Sequence, residues 1–132
     1  MRRRHHRSAS PYESRIGFSR AVRHGDRIVV AGTAPIGADG KTVAGDAYAQ
    51  ARRCFEIVIA AIKALGGNAG DVVRTRMFLT AAEDWEAVGR AHGECFRGVD
   101  PAATMVVVKE LLDPRWRVEI EAEAVVGRPT GQ

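Results

Sequence analysis

The sequence predicts an α+β domain in which one sheet is covered on one face by two helices. Three observations predict it: two short apolar runs near the start split by turn residues, two stretches whose apolar period lengthens to about 3.6, and an alternating segment near the end. At 132 residues the chain holds one domain with a real core and is too short for two.

The first ten residues, MRRRHHRSAS, carry four arginines, no acid and no apolar anchor. Such a segment reads as a disordered basic tail, dispensable for folding, so the domain is expected over 11–132. Two apolar runs, 17–22 and 28–33, flank His24, Gly25 and Asp26, and predict a β-hairpin. A turn-rich loop with Pro35, Gly37, Asp39 and Gly40 follows, and Lys41 to Ala44 is expected as a short third strand.

From Ala47 the period changes, and Ala47, Ala51, Cys54, Phe55, Val58, Ile62 and Leu65 form one helical stripe. Asp46 is placed to cap its first amides and Gly66-Gly67 to end it. The segment 72–79 predicts a strand with Val73, Thr75, Met77 and Leu79 on one face and Val72, Arg74, Arg76 and Phe78 on the other. A second helix carries the stripe Trp85, Val88, His92, Cys95 and Phe96, with Asp84 as its cap. Two more strands, 104–108 and 116–126, complete the order β-β-β-α-β-α-β-β.

The run 102–108 is apolar at both parities and so requires cover on both faces. The two helices cover only one, which makes another subunit the simplest cover for the second. On the last strand Val118, Ile120, Ala122 and Ala124 share one face, while Glu119, Glu121 and Glu123 share the other with Arg74 and Arg76. Three carboxylates in a row demand water or cations, and cross-strand or inter-subunit ion pairs are the expected answer for most of them. A carboxylate lining a cleft between subunits keeps a functional reading.

The net charge of +4 belongs to the start of the chain. Removing Arg2, Arg3, Arg4 and Arg7 from the 20 Lys and Arg leaves 16, against 16 Asp and Glu, so the body is neutral. With 6% aromatic residues it lacks the basic, aromatic groove of a nucleic-acid binder, and no nucleic-acid partner is expected. No segment has the apolar length of a membrane span, and a cytoplasmic location without membrane contact is expected. Cys54 and Cys95 read as buried thiols. No phosphate loop, dinucleotide fingerprint or zinc spacing occurs, so no metal and no organic cofactor is expected. His92, alone on an apolar stripe, reads as structural.

The order of elements, the stretch AGTAPIGADGK, the block GDAYAQARRCFEIVIAAIKALGGNAGDVVRTRMFL, and PAATMVVV followed by VEIEAEAV resemble the Rid/YjgF family of reactive-intermediate deaminases, also called endoribonuclease L-PSP-like. The resemblance runs from about Phe18 to Val126. It implies a chorismate-mutase-like fold with one mixed sheet, a homotrimer whose sheets line a central barrel, and small-molecule clefts between subunits. In the family's active deaminases an Arg and a backbone N–H hold the carboxylate of a 2-imino or enamino acid, and a Glu helps position the hydrolytic water.

Carried onto this chain, the resemblance makes Glu119 the acid-base residue and Gly32, with Thr33 beside it, the backbone facing the cleft. It places Ala103, within PAAT, where the family's PAR[ST] motif has its Arg. Phe18 stands at a Tyr position, Gly89 at an Asn position and Met105 at a position often held by Cys. Loss of a charge-assisted bidentate partner removes roughly 1.5–3 kcal/mol of binding, which argues against standard 2-imino acid deamination. Arg76 has two open roles, a substitute anchor or an arginine neutralised by Glu119, Glu121 or Glu123. The functions implied are a hydrolase or deaminase acting on C–N bonds of a small imine, enamine or related metabolite, a non-catalytic ligand-binding trimer, or, disfavoured by the neutral body, a ribonuclease or translation inhibitor.

Overall fold

The computed structural model describes residues 2–127; Met1 of the expected tail and residues 128–132 of the expected domain lie outside the described residues. The expected tail is instead partly ordered as strand β1, Arg3–His6, paired antiparallel with β2, Ala21–His24. Two interactions overcome its like charge. The backbone completes a ladder on a sheet edge, and Arg4 Nη2 donates to the Leu65 carbonyl at 3.2 Å. Arg23 Nη1 donates to the same carbonyl at 2.8 Å, so two cations meet the negative end of the long helix.

Between these strands lies helix α1, Pro11–Ile16, which the apolar pattern did not signal. Ser10 caps it by accepting from Tyr12 N, Pro11 occupies its first turn, and Gly17 ends it at φ +96°. Six residues are too few to show a stripe, and the expected strand 17–22 correspondingly begins only at Ala21. The hairpin partner β3, Arg27–Thr33, follows through Gly25 at φ +66°. The expected strand 41–44 contracts to a bridge between Ile36 and Thr42.

Helix α2, Ala47–Ala64, begins as the sequence predicts, with Asp46 accepting from Ala49 N at 2.9 Å. Gly66, at φ +91°, then turns the chain away. Strand β4, Val72–Leu79, has the predicted length but a register shift between Val72 and Arg74, so Val72 is buried and Val73 exposed. Helix α3, Trp85–Phe96, buries Val88, Ala91 and Phe96. Trp85 leaves the expected stripe and stands 59% exposed at the first turn. Asp84 makes no cap hydrogen bond, because its carboxylate receives Arg117 Nε at 3.2 Å and Nη2 at 2.9 Å.

Strand β5, Ala102–Val107, runs parallel to β4, and β6, Val118–Val125, lies antiparallel between β3 and β4. The result is one mixed sheet in the order β1-β2-β3-β6-β4-β5. One face packs on α2 and α3 around Ile28, Val30, Phe55, Val58, Ile62, Leu79, Phe96, Val118 and Ile120. Each such side chain contributes about 1.5–3 kcal/mol on burial, against about 0–1 kcal/mol for an exposed ion pair, so this layer holds the fold. The opposite face carries Arg76, Phe78, Glu119, Glu121 and Glu123, and edge strand β5 leaves Val106 and Val107 exposed.

Candidate functional site

Glu119 sits near the start of β6 with the parity of the open face, opposite Phe78. Beside it the β3–β6 ladder shifts register between Val30 and Thr33, which opens the sheet at Ala31 and Gly32. The carboxylate uses that opening: Glu119 Oε2 lies 2.6 Å from where a Cβ on Gly32 would be. Glycine is therefore needed here for close approach rather than for its dihedral freedom.

Behind Gly32 lies Arg20, only 7% exposed. Its Nη1 donates to the Gly32 carbonyl at 2.8 Å and to Thr33 Oγ1 at 3.2 Å, and Thr33 passes a bond to the Ala31 carbonyl at 2.8 Å. Its Nε faces Glu13 Oε2 at 3.6 Å, and Phe18 lies with its ring centroid 5.5 Å from the guanidinium carbon. Glu13, itself buried, accepts from Ser8 N at 3.0 Å and from Ser8 Oγ.

These contacts set the electrostatics. Burial pushes the Glu119 carboxyl above its usual range, the Arg20 charge pulls it back down, and Glu121 adds a smaller upward push. Burial lowers Arg20, opposed first by Glu13 and then by Glu119. Glu13 and Phe18, the neighbours of Arg20, also line a cleft of about 600 Å³, with Val22, Val29 and Ala31 on its apolar side and His5, Arg7, Ser8, Ser14 and Ser19 on its polar side; Glu119 itself is not in its lining. A carboxyl group raised toward neutrality can exchange a proton with a molecule bound against it.

The structure thus gathers Phe18, Gly32, Thr33 and Glu119 in one cluster. Arg76 takes its place on the same face but is held by Glu121 Oε1 at 2.8 Å, with Glu123 Oε2 at 3.9 Å, the neutralised role of the two left open for it. The remaining candidates lie elsewhere. Ala103 and Met105 pair in register with Thr75 and Met77, whose side chains are buried toward the helices. Gly89 is on α3, with open space where its Cβ would project. This second group has the helix-side parity or lies on a helix, whereas Glu119 has the parity of the opposite face.

His92, one turn beyond Gly89, borders that second group. It shares a 2.8 Å hydrogen bond with Thr75 Oγ1 and packs edge-on to Phe55 and tilted against Phe96. Burial lowers its pKa. Sequence reasoning missed Arg20 and Glu13. The available signal was an arginine inside the run 17–22, where a charge among strand residues calls for a partner. Among the described residues no group of three or more His, Cys, Asp or Glu is placed to hold a metal ion, and no helix is long and apolar enough to cross a membrane.

Comparison with known proteins places these features in a family. The family model described as Endoribonuclease L-PSP matches residues 8–126. An uncharacterized protein of Streptomyces coelicolor is 42% identical over 120 residues, covering 91% of this chain and 90% of its own. The 2-iminobutanoate/2-iminopropanoate deaminase of Salmonella typhimurium is 32% identical over 112 residues, covering 82% of this chain and 86% of its own. The crystal structure of a Mycobacterium tuberculosis member of the YjgF/YER057c/UK114 family superposes with a TM-score of 0.86 at 39% identity, covering 95% of this chain and all of that one. With matches of that extent in sequence and in structure, the chain belongs to the endoribonuclease L-PSP family, the Rid/YjgF family, and has its chorismate-mutase-like α+β fold.

Proposed function

We propose that the chain works as a homotrimer with small-molecule clefts between subunits, in which Glu119 is the acid-base group for hydrolysis of a C–N bond in a small imine, enamine or related metabolite. The observation that carries this reading is the Glu119 carboxylate packed against the Gly32 backbone and pushed upward by burial. Its relative from Salmonella typhimurium, by name an imine deaminase, supports the reaction class. The separation of Glu119 from Gly89, Ala103 and Met105 on opposite sides of the sheet supports a site completed by a second copy. So does the exposed apolar strand β5.

Substrates carrying a carboxylate find no free guanidinium at the three positions where the site would offer one. Ala103 offers no guanidinium, Arg76 is engaged by Glu121 and Glu123, and Arg20 is engaged by Gly32, Thr33 and Glu13. The favoured substrate is therefore a neutral or cationic imine or enamine. The same committed cations support a second reading, a cleft that binds such a molecule without turning it over. The ribonuclease reading gains nothing from the open face, where Arg76 and Arg27 are matched by glutamates.

The test uses imines generated in place by an oxidase and trapped with semicarbazide, with neutral and carboxylate-bearing imines in parallel. Faster loss of the neutral imine, cut about 10²–10⁴-fold in Glu119→Gln, is the expected result. Sedimentation should give about three times the 14.3 kDa subunit mass. A clean monomer would remove the shared cleft, and tight binding without turnover would select the second reading.

A further inference from the structure

The Glu119 site contains a buried cation that neither the acid-base reading nor the family resemblance uses. We propose that Arg20 is the positioning residue of this site, an internal guanidinium that fixes the Gly32 backbone against which the Glu119 carboxylate packs and supplies the positive field that carboxylate experiences. The inference rests on Glu119 being the working group.

The geometry is specific on three sides. Arg20 Nη1 reaches both the Gly32 carbonyl and the Thr33 hydroxyl, so the guanidinium grips β3 where its ladder with β6 is interrupted. A strand without its regular partner at that point needs another tether to keep Gly32 in place, and with it the space for Glu119 Oε2. Arg20 is itself held by Phe18 at its face and by Glu13 at its Nε. Ser8, through its backbone and hydroxyl, fixes that Glu13 carboxylate. The chain of contacts runs from Ser8 through Glu13, Arg20 and Gly32 to Glu119, and links the N-terminal segment to the reacting end of the site.

Arg20 does not touch the Glu119 carboxylate as an ion pair. It leaves that group free for a ligand while acting on it through the half-buried sheet between them, where a charge is screened less than in bulk water. Arg20 Nε is buried without a hydrogen-bond partner among the described residues, its ion pair to Glu13 being longer than a hydrogen bond. An apolar side chain of similar volume would avoid that penalty, so the buried charge fits a positional role. The other charged or titratable groups acting on or felt by Glu119 are Glu121 on its own strand, itself held by Arg76 on β4, and the Cys54 thiol on α2, while Glu13 on α1 faces Arg20. Among them Arg20 is the cation that acts on Glu119 most directly.

A substrate-free measurement tests this. In protein labelled with ¹³C at the glutamate carboxyls, the signal absent from Glu119→Gln identifies Glu119, and its titration is followed by NMR in the wild type, Arg20→Lys and Arg20→Gln. The expected result is a midpoint raised by about one unit in Arg20→Gln, a tenfold change in acid constant, and a smaller rise in Arg20→Lys, which keeps the charge but not the double grip. The same midpoint in all three proteins would overturn the proposal. Should Arg20→Gln fail to fold, Arg20→Lys decides alone, because a lysine that leaves both the midpoint and the Gly32 amide shift unchanged contradicts the positioning role. Failure of imine turnover leaves this readout intact, so the two ideas fall separately.

Discussion

The carboxylate of Glu119 occupies the space that a side chain on Gly32 would fill, with Oε2 2.6 Å from the position of that missing Cβ. Gly32→Ala therefore forces the carboxylate to move. The displaced atom is the far end of a flexible side chain, so stability should fall by no more than about 1 kcal/mol while the site loses its geometry. Urea denaturation and a crystal structure of the variant check both halves. Unfolding of the variant would mean that the strand, rather than the carboxylate, fills that space.

Glu119→Gln should make the protein more stable at neutral pH. Burial raises the folded-state pKa above the ordinary value of 4.5, so the unfolded chain ionises first and the buried charge opposes folding at higher pH. The penalty is fully present above the raised value and vanishes as pH falls below 4.5. A small gain near pH 7, well under about 1 kcal/mol because the carboxylate is partly solvated, and shrinking on acidification, is the expected difference between variant and wild type. A loss of stability at neutral pH would show that Arg20 more than compensates for the burial.

Deletion of residues 2–10 should be felt by the fold. It removes β1 from the sheet edge, the Arg4 bond to the Leu65 carbonyl, and both Ser8 bonds to the buried Glu13. A loss on the order of 2 kcal/mol is expected, because an unsatisfied buried carboxylate adds to the missing hydrogen bonds. An unchanged melting temperature would restore the view of this segment as a tail.

His92 should make the protein acid-sensitive. Its folded pKa is lowered by burial, so the unfolded chain binds a proton more readily in the window below 6.5. Stability is then highest above that window and falls as pH drops through it. His92→Gln, which can still bond Thr75, should flatten the dependence of the urea midpoint between about pH 7.5 and about pH 5.5. An equally steep fall in the variant would place the sensitivity elsewhere.

Ala103→Arg tests the missing anchor. Ala103 is exposed on edge strand β5, so a longer side chain costs the core nothing. The wild type should hydrolyse 2-iminopropionate and 2-iminobutyrate slowly, and the variant should gain about one to two powers of ten. Phe18 and Gly89 limit the gain, since neither supplies a polar partner. The semicarbazide-trapping assay measures it, and no gain in a folded variant would mean that the cleft is shaped for another ligand.

Local pattern is enough to specify the layered architecture. The stripe through Phe55, Val58 and Ile62 and the alternation of Val118, Ile120, Ala122 and Ala124 each pair a backbone period with one buried face, and such periodicity needs only local information. Glu119 and Gly32 were also legible, through the motifs that carry the family resemblance. Other features depend on contacts between residues distant in sequence. The bulge that buries Val72 instead of Val73 reflects pairing with a strand far away in sequence, which no local pattern encodes. Arg3–His6 became a strand because β2 offered an open edge, although its own composition favours solvent. The grip of Arg20 on Gly32 joins residues twelve apart in sequence, and it draws the cation out of water only because Glu13, Phe18 and the interrupted ladder converge on one point in space. A buried charge is decided by the groups that surround it, and only the folded chain brings those groups together.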